Sequence, residues 1–176
     1  MCGISGILGP ANEELLRGMM DRLVHRGPDD SGTVQQGSAM LGHRRLSIMD
    51  PQHGRQPIAN EDGTAAIVAN GEIYNFTDLQ AGLTGTHRFR TRSDSEVPLH
   101  LYEEFGCAMA DRLDGMFAFL LADGDGVFAA RDPVGIKPLY IGHAGERSLF
   151  ASELKALAGR ATRVEEFPPG SFYHSR

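Results

Sequence analysis

Met116-Phe117-Ala118-Phe119-Leu120-Leu121-Ala122-Asp123-Gly124-Asp125-Gly126-Val127-Phe128-Ala129-Ala130 decides the fold class. The run from Met116 to Ala122 is unbroken apolar. Asp123-Gly124-Asp125-Gly126 supplies a turn, and Val127 to Ala130 is apolar again, which is the pattern of a β-hairpin. A strand with no polar side is expected to be buried on both faces. Downstream, Leu139 to Gly142 and Ser148 to Ala151 make another hairpin around Ala144-Gly145. Upstream, Cys2 to Leu8, Thr33 to Gln36, Ala39 to Ile48 and Ala65 to Ala69 read as strands, and Asn70-Gly71 reads as a strong turn signal.

Two helices interrupt the strands. Asn12 caps one whose apolar residues Leu15, Met19 and Leu23 recur at four-residue spacing. Glu13 and Glu14 suit its first turn, Arg22, His25 and Arg26 its last, and Gly27-Pro28 stops it. Ser93 with Glu96 resembles a capping box opening a helix toward Phe105, with Gly106 as its stop and Pro98 tolerated in its first turn. Hairpins with helices early and mid-chain predict an α+β fold, its antiparallel sheets carrying helices on their outer faces.

The 176 residues suit one domain, and no repeat or low-complexity linker divides them. Net charge is −6, and only Lys137 and Lys155 are lysines, so a nucleic-acid-binding face is not expected. The longest apolar run falls far short of the ~20 residues of a membrane span, and no basic-then-apolar leader opens the chain. Cys2 and Cys107 make no disulfide framework, so a reduced, cytoplasmic protein is expected. The seven histidines show no zinc-site spacing and read as solvated or helix-end residues, so no metal is expected. Arg88, Arg90 and Arg92 alternate like the exposed face of a strand, and Cys107 reads as a packed thiol.

Three features could carry chemistry. Removal of Met1 would give Cys2 both a nucleophilic thiol and a free α-amine, whose ordinary pKa of ~7.7–8.0 suits a proton shuttle. One residue would then supply nucleophile and base. The Asn70 side-chain amide and the Gly71 N–H can aim two donors at one oxygen. Arg45 suits a carboxylate and Asp94 an ammonium, so together they could hold both ends of an amino acid. Taken singly, each has a plainer reading: a buried strand cysteine, a hairpin turn, a pair of solvated charges.

Met1-Cys2-Gly3-Ile4 resembles the opening of the class II glutamine amidotransferases, which are N-terminal nucleophile hydrolases. Further matches follow in the family's order: His25-Arg26-Gly27-Pro28-Asp29, Arg44 to Asp50, Asn70-Gly71-Glu72-Ile73-Tyr74-Asn75 and Ser93-Asp94-Ser95-Glu96. Gly115 to Phe119, Arg131 to Tyr140 and Ala151 to Leu157 complete the set. Each piece is weak alone; the opening and seven further matches in order, over nearly the whole chain, are specific. His-Arg-Gly-Pro-Asp and Asn-Gly-Glu-Ile-Tyr-Asn look most like the glutaminase domain of glutamine-hydrolysing asparagine synthetases.

The resemblance implies a four-layer αββα sandwich of two antiparallel sheets. It implies that Cys2 attacks the glutamine side-chain amide to form a thioester while its α-amine shuttles the proton. Asn70 and Gly71 would hold the oxyanion, Arg45 the α-carboxylate, and Asp94 with Glu72 the α-ammonium. The backbone of Leu46, Ser47, Ile48 and Met49 would line the same pocket. Residues 1–176 read as one glutaminase domain, requiring no cofactor of its own. A Ser-Gly-Gly-x-Asp-Ser ATP loop is absent, so ATP and Mg are expected only with a C-terminal or separate synthetase domain. That partner would take the ammonia, aspartate being the leading acceptor; a homodimer is compatible with the pattern. The alternatives are a free-standing amidotransferase subunit for another carboxylate and a non-catalytic module retaining the fold.

Overall fold

The computed structural model describes residues 1–47, 54–124 and 126–175. Its elements begin with β1 (Gly3–Leu8), α1 (Glu13–Asp21), β2 (Asp30–Gln36), β3 (Ala39–Arg45), β4 (Ile58–Ala59), β5 (Ala66–Ile73), α2 (Phe76–Leu83) and α3 (Val97–Phe105). They continue with β6 (Gly115–Ala122), β7 (Val127–Arg131), β8 (Tyr140–Ala144), β9 (Arg147–Ala151), α4 (Leu154–Leu157), β10 (Arg163–Glu166) and β11 (Phe172–His174).

The β6–β7 hairpin forms as expected, with Ala122 opposite Val127. β6 also pairs antiparallel with β5, Gly71 facing Phe117. The order β11-β7-β6-β5-β4 makes one antiparallel sheet, and β10-β8-β9-β1-β3-β2 makes the other. Burial of β6 on both faces follows from the layering. Phe117, Phe119 and Leu121 pack toward α3, among Val97, Leu99 and Leu101. The alternate residues Ala118, Leu120 and Ala122 pack toward the second sheet, among Ile4, Leu41 and Phe150. That sheet buries its far face, with Ile7, Met40 and Leu149, under Leu16, Met19 and Met20 of α1 and Leu157 of α4. Three apolar interfaces between four layers make the αββα sandwich.

Asn12 caps α1, its Oδ1 accepting from Leu15 N at 2.8 Å. The regular helix ends at Asp21 and Val24–Arg26 forms a separate 3-10 turn, so Arg22, His25 and Arg26 lie beyond its last turn, and Arg26 is buried. Ser93 caps the short turn before α3, but Glu96 does not complete a capping box. Its carboxylate instead accepts from Arg90 N and Thr91 N, both at 2.7 Å. Pro98 sits in the first turn of α3 and Gly106 ends it. Arg88, Arg90 and Arg92 are exposed as read, but in an irregular segment rather than a strand. The solvated reading of the histidines fails for His43 and His100, which are fully buried.

Asn70-Gly71 makes no turn: both residues lie inside β5. The local turn preference loses to an eight-residue pairing with β6. Gly71 carries φ +154°, and a Cβ there would lie 2.1 Å from Met116 O. Only glycine fits that backbone approach.

Candidate active site

The nucleophile candidate stands just before β1. Cys2 is half-buried, and its Sγ lies 3.8 Å from Leu46 O. Its carbonyl accepts from Arg26 Nε at 2.8 Å. Arg26 is held in turn by Glu153, whose Oε1 lies 2.9 Å from Arg26 Nη1 and 2.9 Å from His25 Nε2. Lys155 Nζ reaches the other oxygen of Glu153 at 3.1 Å. Partial burial acts to raise the Glu153 pKa, but the hydrogen bonds from Arg26, His25 and Lys155 outweigh it and hold the carboxyl at about 2. Ser152 completes the clamp: its Oγ accepts from Ile4 N at 2.9 Å and its N–H donates to Ile4 O at 3.0 Å. The strand behind Cys2 is therefore fastened by side chain and backbone together.

Arg45 closes β3 and is buried. The segment around it is set by Asp29, whose N–H donates to Arg45 O at 3.0 Å and whose carboxylate accepts from Ser47 N at 2.8 Å. Gly27 permits that approach, since a Cβ there would meet the Arg44 carbonyl at 2.3 Å. Asn70 and Gly71 come from the other sheet. Asn70 is buried, and its Nδ2 has no hydrogen-bond partner among the described residues. An orphaned buried donor costs free energy unless a ligand oxygen meets it, so it suits an oxyanion. Asp94 comes from the helical layer, its Oδ2 accepting from Ile73 N at 2.6 Å. Burial raises its pKa above the usual carboxylate range and the Glu72 charge adds to this, against the pull of the Ile73 and Ser95 amides.

These residues share one polar cleft of about 120 Å³, lined by Met1, Cys2, Arg45, Leu46, Asn70, Gly71, Glu72 and Asp94. Ser47 does not line it; its N–H is taken by Asp29. Ile48 and Met49 lie outside the described residues. Further residues that the sequence did not single out for the cleft also line it, among them His43, Gln56 and Lys137. Burial foremost, helped by Arg45, lowers His43 to about 4, so it is a neutral imidazole there. Lys137 belongs to a loop organised by two buried charges. The Asp132 carboxylate accepts from the N–H groups of Phe117, Val134, Ile136 and Lys137. Arg131 donates to the carbonyls of Lys137, Gly135 and Phe167. Arg26, Asp29, Ser152 and Glu153 were visible only as letters of motifs, because their partners lie far away in sequence.

With Met1 attached, the nitrogen of Cys2 is a peptide amide, and Met1 is among the residues that line the cleft. An amide nitrogen cannot carry a proton between thiol and leaving group. Chemically, the cleft offers a thiol, a matched cation and anion for a zwitterion, and an amide donor awaiting an oxygen.

Residues 1–170 match the family model described as a glutamine amidotransferase domain. The glutamine-hydrolyzing asparagine synthetase 2 of Oryza sativa subsp. japonica is 47% identical over 184 residues, covering 100% of this chain and 31% of its own length. One from Arabidopsis thaliana is 48% identical, with 100% and 32% covered. This chain thus spans about a third of the length of the curated relatives it matches. Among solved structures, the glutamine phosphoribosylpyrophosphate amidotransferase of B. subtilis, complexed with ADP and GMP, superposes with a TM-score of 0.83 at 26% identity. That match covers 97% of this chain and 46% of the other. A class-II glutamine aminotransferase domain protein from Silicibacter pomeroyi, at 13% identity and TM-score 0.56, shares the fold.

Proposed function

This chain belongs to the glutamine amidotransferase domain family, and from that premise we propose that it hydrolyses the side-chain amide of L-glutamine through a Cys2 thioester. The observation that carries the reading is the convergence of Cys2, Arg45, Asn70, Gly71 and Asp94 on one cleft, from both sheets and the helical layer. Arg45 takes the substrate α-carboxylate; Asp94, with Glu72 beside it, takes the α-ammonium. The side-chain amide is thereby presented to Cys2. The Sγ attacks the amide carbon, and Asn70 Nδ2 and Gly71 N–H take the developing oxyanion. The thiol proton passes through the free α-amine of Cys2 to the departing nitrogen, the C–N bond breaks, and ammonia leaves. Water then cleaves the thioester, giving glutamate and the thiol again. Loss of Met1 comes first, since it creates the amine.

The ammonia is destined for an ATP-dependent amidation, with aspartate as the acceptor and asparagine as the product. The names of the relatives and the one-third coverage of their length support a synthetase portion elsewhere as partner, and ATP and Mg belong to that portion. Cys2 and Cys107 are both free thiols, which suits the reducing cytoplasm. Among the described residues no helix is long and apolar enough to cross a membrane.

The test is glutamate release from glutamine by the Met1-processed chain, with Cys2→Ala as control. Turnover should appear in the first and vanish in the second, without loss of fold. An electrophilic glutamine analogue should label Cys2 and spare Cys107. Turnover surviving in Cys2→Ala, or equal labelling of both thiols, would overturn the mechanism.

A further inference from the structure

We propose that Glu61, His87, His100 and Glu103 form a binding site for one divalent ion of the zinc class, on the outer helical layer and separate from the cleft. Glu61 lies in the turn after β4, His87 in the segment between α2 and α3, and His100 and Glu103 one turn apart on α3. Each offers one ligand atom within 4.8 Å of the other three.

Both imidazoles turn the same nitrogen inward. His87 Nδ1 lies 3.2 Å from Glu61 and 3.6 Å from Glu103. His100 Nδ1 lies 3.6 Å from Glu61 and 2.8 Å from Glu103. The Glu61 contacts use both of its oxygens, Oε1 toward His87 and Oε2 toward His100, and the separations lie around the roughly 3.3–3.4 Å edge of a tetrahedron whose metal–ligand bonds are ~2.0–2.1 Å long. The outward nitrogens are also engaged. His87 Nε2 is 2.9 Å from Glu104 Oε1, and His100 Nε2 is 3.4 Å from Glu96 Oε1. A carboxylate on the far nitrogen is what fixes the tautomer and orientation of a metal-bound histidine. If each Nε2 keeps its hydrogen for that carboxylate, each Nδ1 presents a lone pair to carboxylate oxygens, and a cation must lie between them. Without such an ion, extra protons on the rings or the carboxyls must fill the same place; the two rings stack with centroids 4.6 Å apart. One divalent ion neutralises all four inward atoms at once.

The carboxylates are held in place as well. Asn60 Nδ2 donates to Glu103 at 2.7 Å and Arg88 N–H to Glu61 at 3.2 Å. Two imidazoles and two carboxylates favour zinc-like ions over Mg or Ca, which prefer oxygen alone. Four protein ligands leave no open position, so the ion is structural. It ties the turn at Glu61 and the segment at His87 to α3, whose leading turn carries Asp94. The histidines stand 13 positions apart in sequence, outside any zinc-motif spacing, so only the fold brings them together.

The test uses the full chain stripped with a chelator and titrated with Zn²⁺ or Co²⁺ alone. One equivalent should bind, and Co²⁺ should give the intense visible absorption of a tetrahedral site. At about a hundredfold excess over Kd, Zn²⁺ should raise Tm by roughly 5–10 °C. Glu61→Gln and His87→Ala, both near the rim, should weaken binding at least ~10-fold, and Glu104→Gln by about 10–100-fold. Cys2→Ala should leave binding unchanged. The proposal is overturned by no uptake, which leaves a network of protons only. Uptake at full affinity in Glu61→Gln and His87→Ala, or uptake abolished by Cys2→Ala, would overturn it equally.

Discussion

Replacing Glu153 by Gln tests how the strand behind the nucleophile is held. The substitution keeps one acceptor oxygen for Arg26 while removing the charge and turning the oxygen that faces Lys155 into an amide donor. The Glu153 carboxyl sits at about 2 instead of 4.5, because Arg26, His25 and Lys155 together outweigh the cost of its partial burial. At ~1.36 kcal/mol per pKa unit, that gap of about 2.5 sets a ceiling of ~3.4 kcal/mol. Most of this ceiling is not realised. Glu153 is 25% exposed and His25 and Lys155 are about half exposed, so water screens two of the three contacts; Arg26, at 7%, is the well-buried partner. A loss of about 1–2 kcal/mol remains, or roughly 2–8 °C in Tm for a domain of this size.

The sign of the pH effect follows from the lowered value. The stabilisation is complete above 4.5 and is lost as pH falls from 4.5 through about 2. Urea unfolding of wild type and variant near neutrality, and at steps down that window, should therefore show two curves that converge in acid. Glutamate release should also fall in the variant, because Arg26 then holds the Cys2 carbonyl less firmly. Equal stability at neutral pH, or a difference that stays constant down to the bottom of the window, would refute the argument.

Other perturbations separate roles within the cleft. Arg45→Lys keeps a charge but loses the planar fork, so KM for glutamine should rise with kcat little changed; a kcat loss alone would contradict its assignment. Asn70→Ala should lower kcat by roughly 10²–10³ without changing KM. It should leave Tm near wild type, since Nδ2 has no partner among the described residues to lose. Burial, with Glu72, raises the pKa of Asp94, so its grip on the substrate ammonium is present above that raised value and lost as pH falls through it. KM should rise on the acid side in wild type and be high but flat in Asp94→Asn, as steady-state rates across pH will show. Chain that keeps Met1 should be inactive, and intact mass spectrometry should find active chain lighter by one methionine; equal rates with and without Met1 would exclude the α-amine as proton shuttle.

Sequence alone revealed what is local. The Asn12 cap, the pairing of β6 with β7 and the apolar run of β6 follow from short-range signals, and the structure carries each as read. Failures arose where distant pairing overrode a local preference. Asn70-Gly71 carries a turn signal, yet β6 draws it into a strand, and the conformation its glycine permits serves a close backbone approach instead. The Glu96 carboxylate could reach back to Ser93, but the loop before it offers two N–H groups at better distance. His43 and His100 look like any polar histidine in sequence; only the sheet around one and the carboxylates around the other account for their burial. Arg26 and Glu153 are 127 positions apart, so no spacing could announce the pair.

The same distinction explains why the site was easier to find than its supports. Each reacting group sits at an element end or on one strand, inside a string of residues that is recognisable by itself. What brings those strings together is the stacking of layers. Cys2 and Arg45 belong to the sheet of β1 and β3, Asn70 and Gly71 to that of β5, and Asp94 to the turn before α3. The gap between nucleophile and oxyanion donors is therefore set by the apolar layer between the sheets, where Ile4, Leu41, Val68, Ala118 and Leu120 meet. Small residues there keep the sheets close: a Cβ on Gly6 would come within 2.7 Å of Leu120 Cδ1. A fixed intersheet distance is what a two-sheet site requires, because interiors packed at crystal-like density transmit even a methylene's displacement. Residues of that buried layer touch no substrate, yet their volumes fix how closely the Cys2 thiol can approach a carbon whose oxygen rests on Asn70.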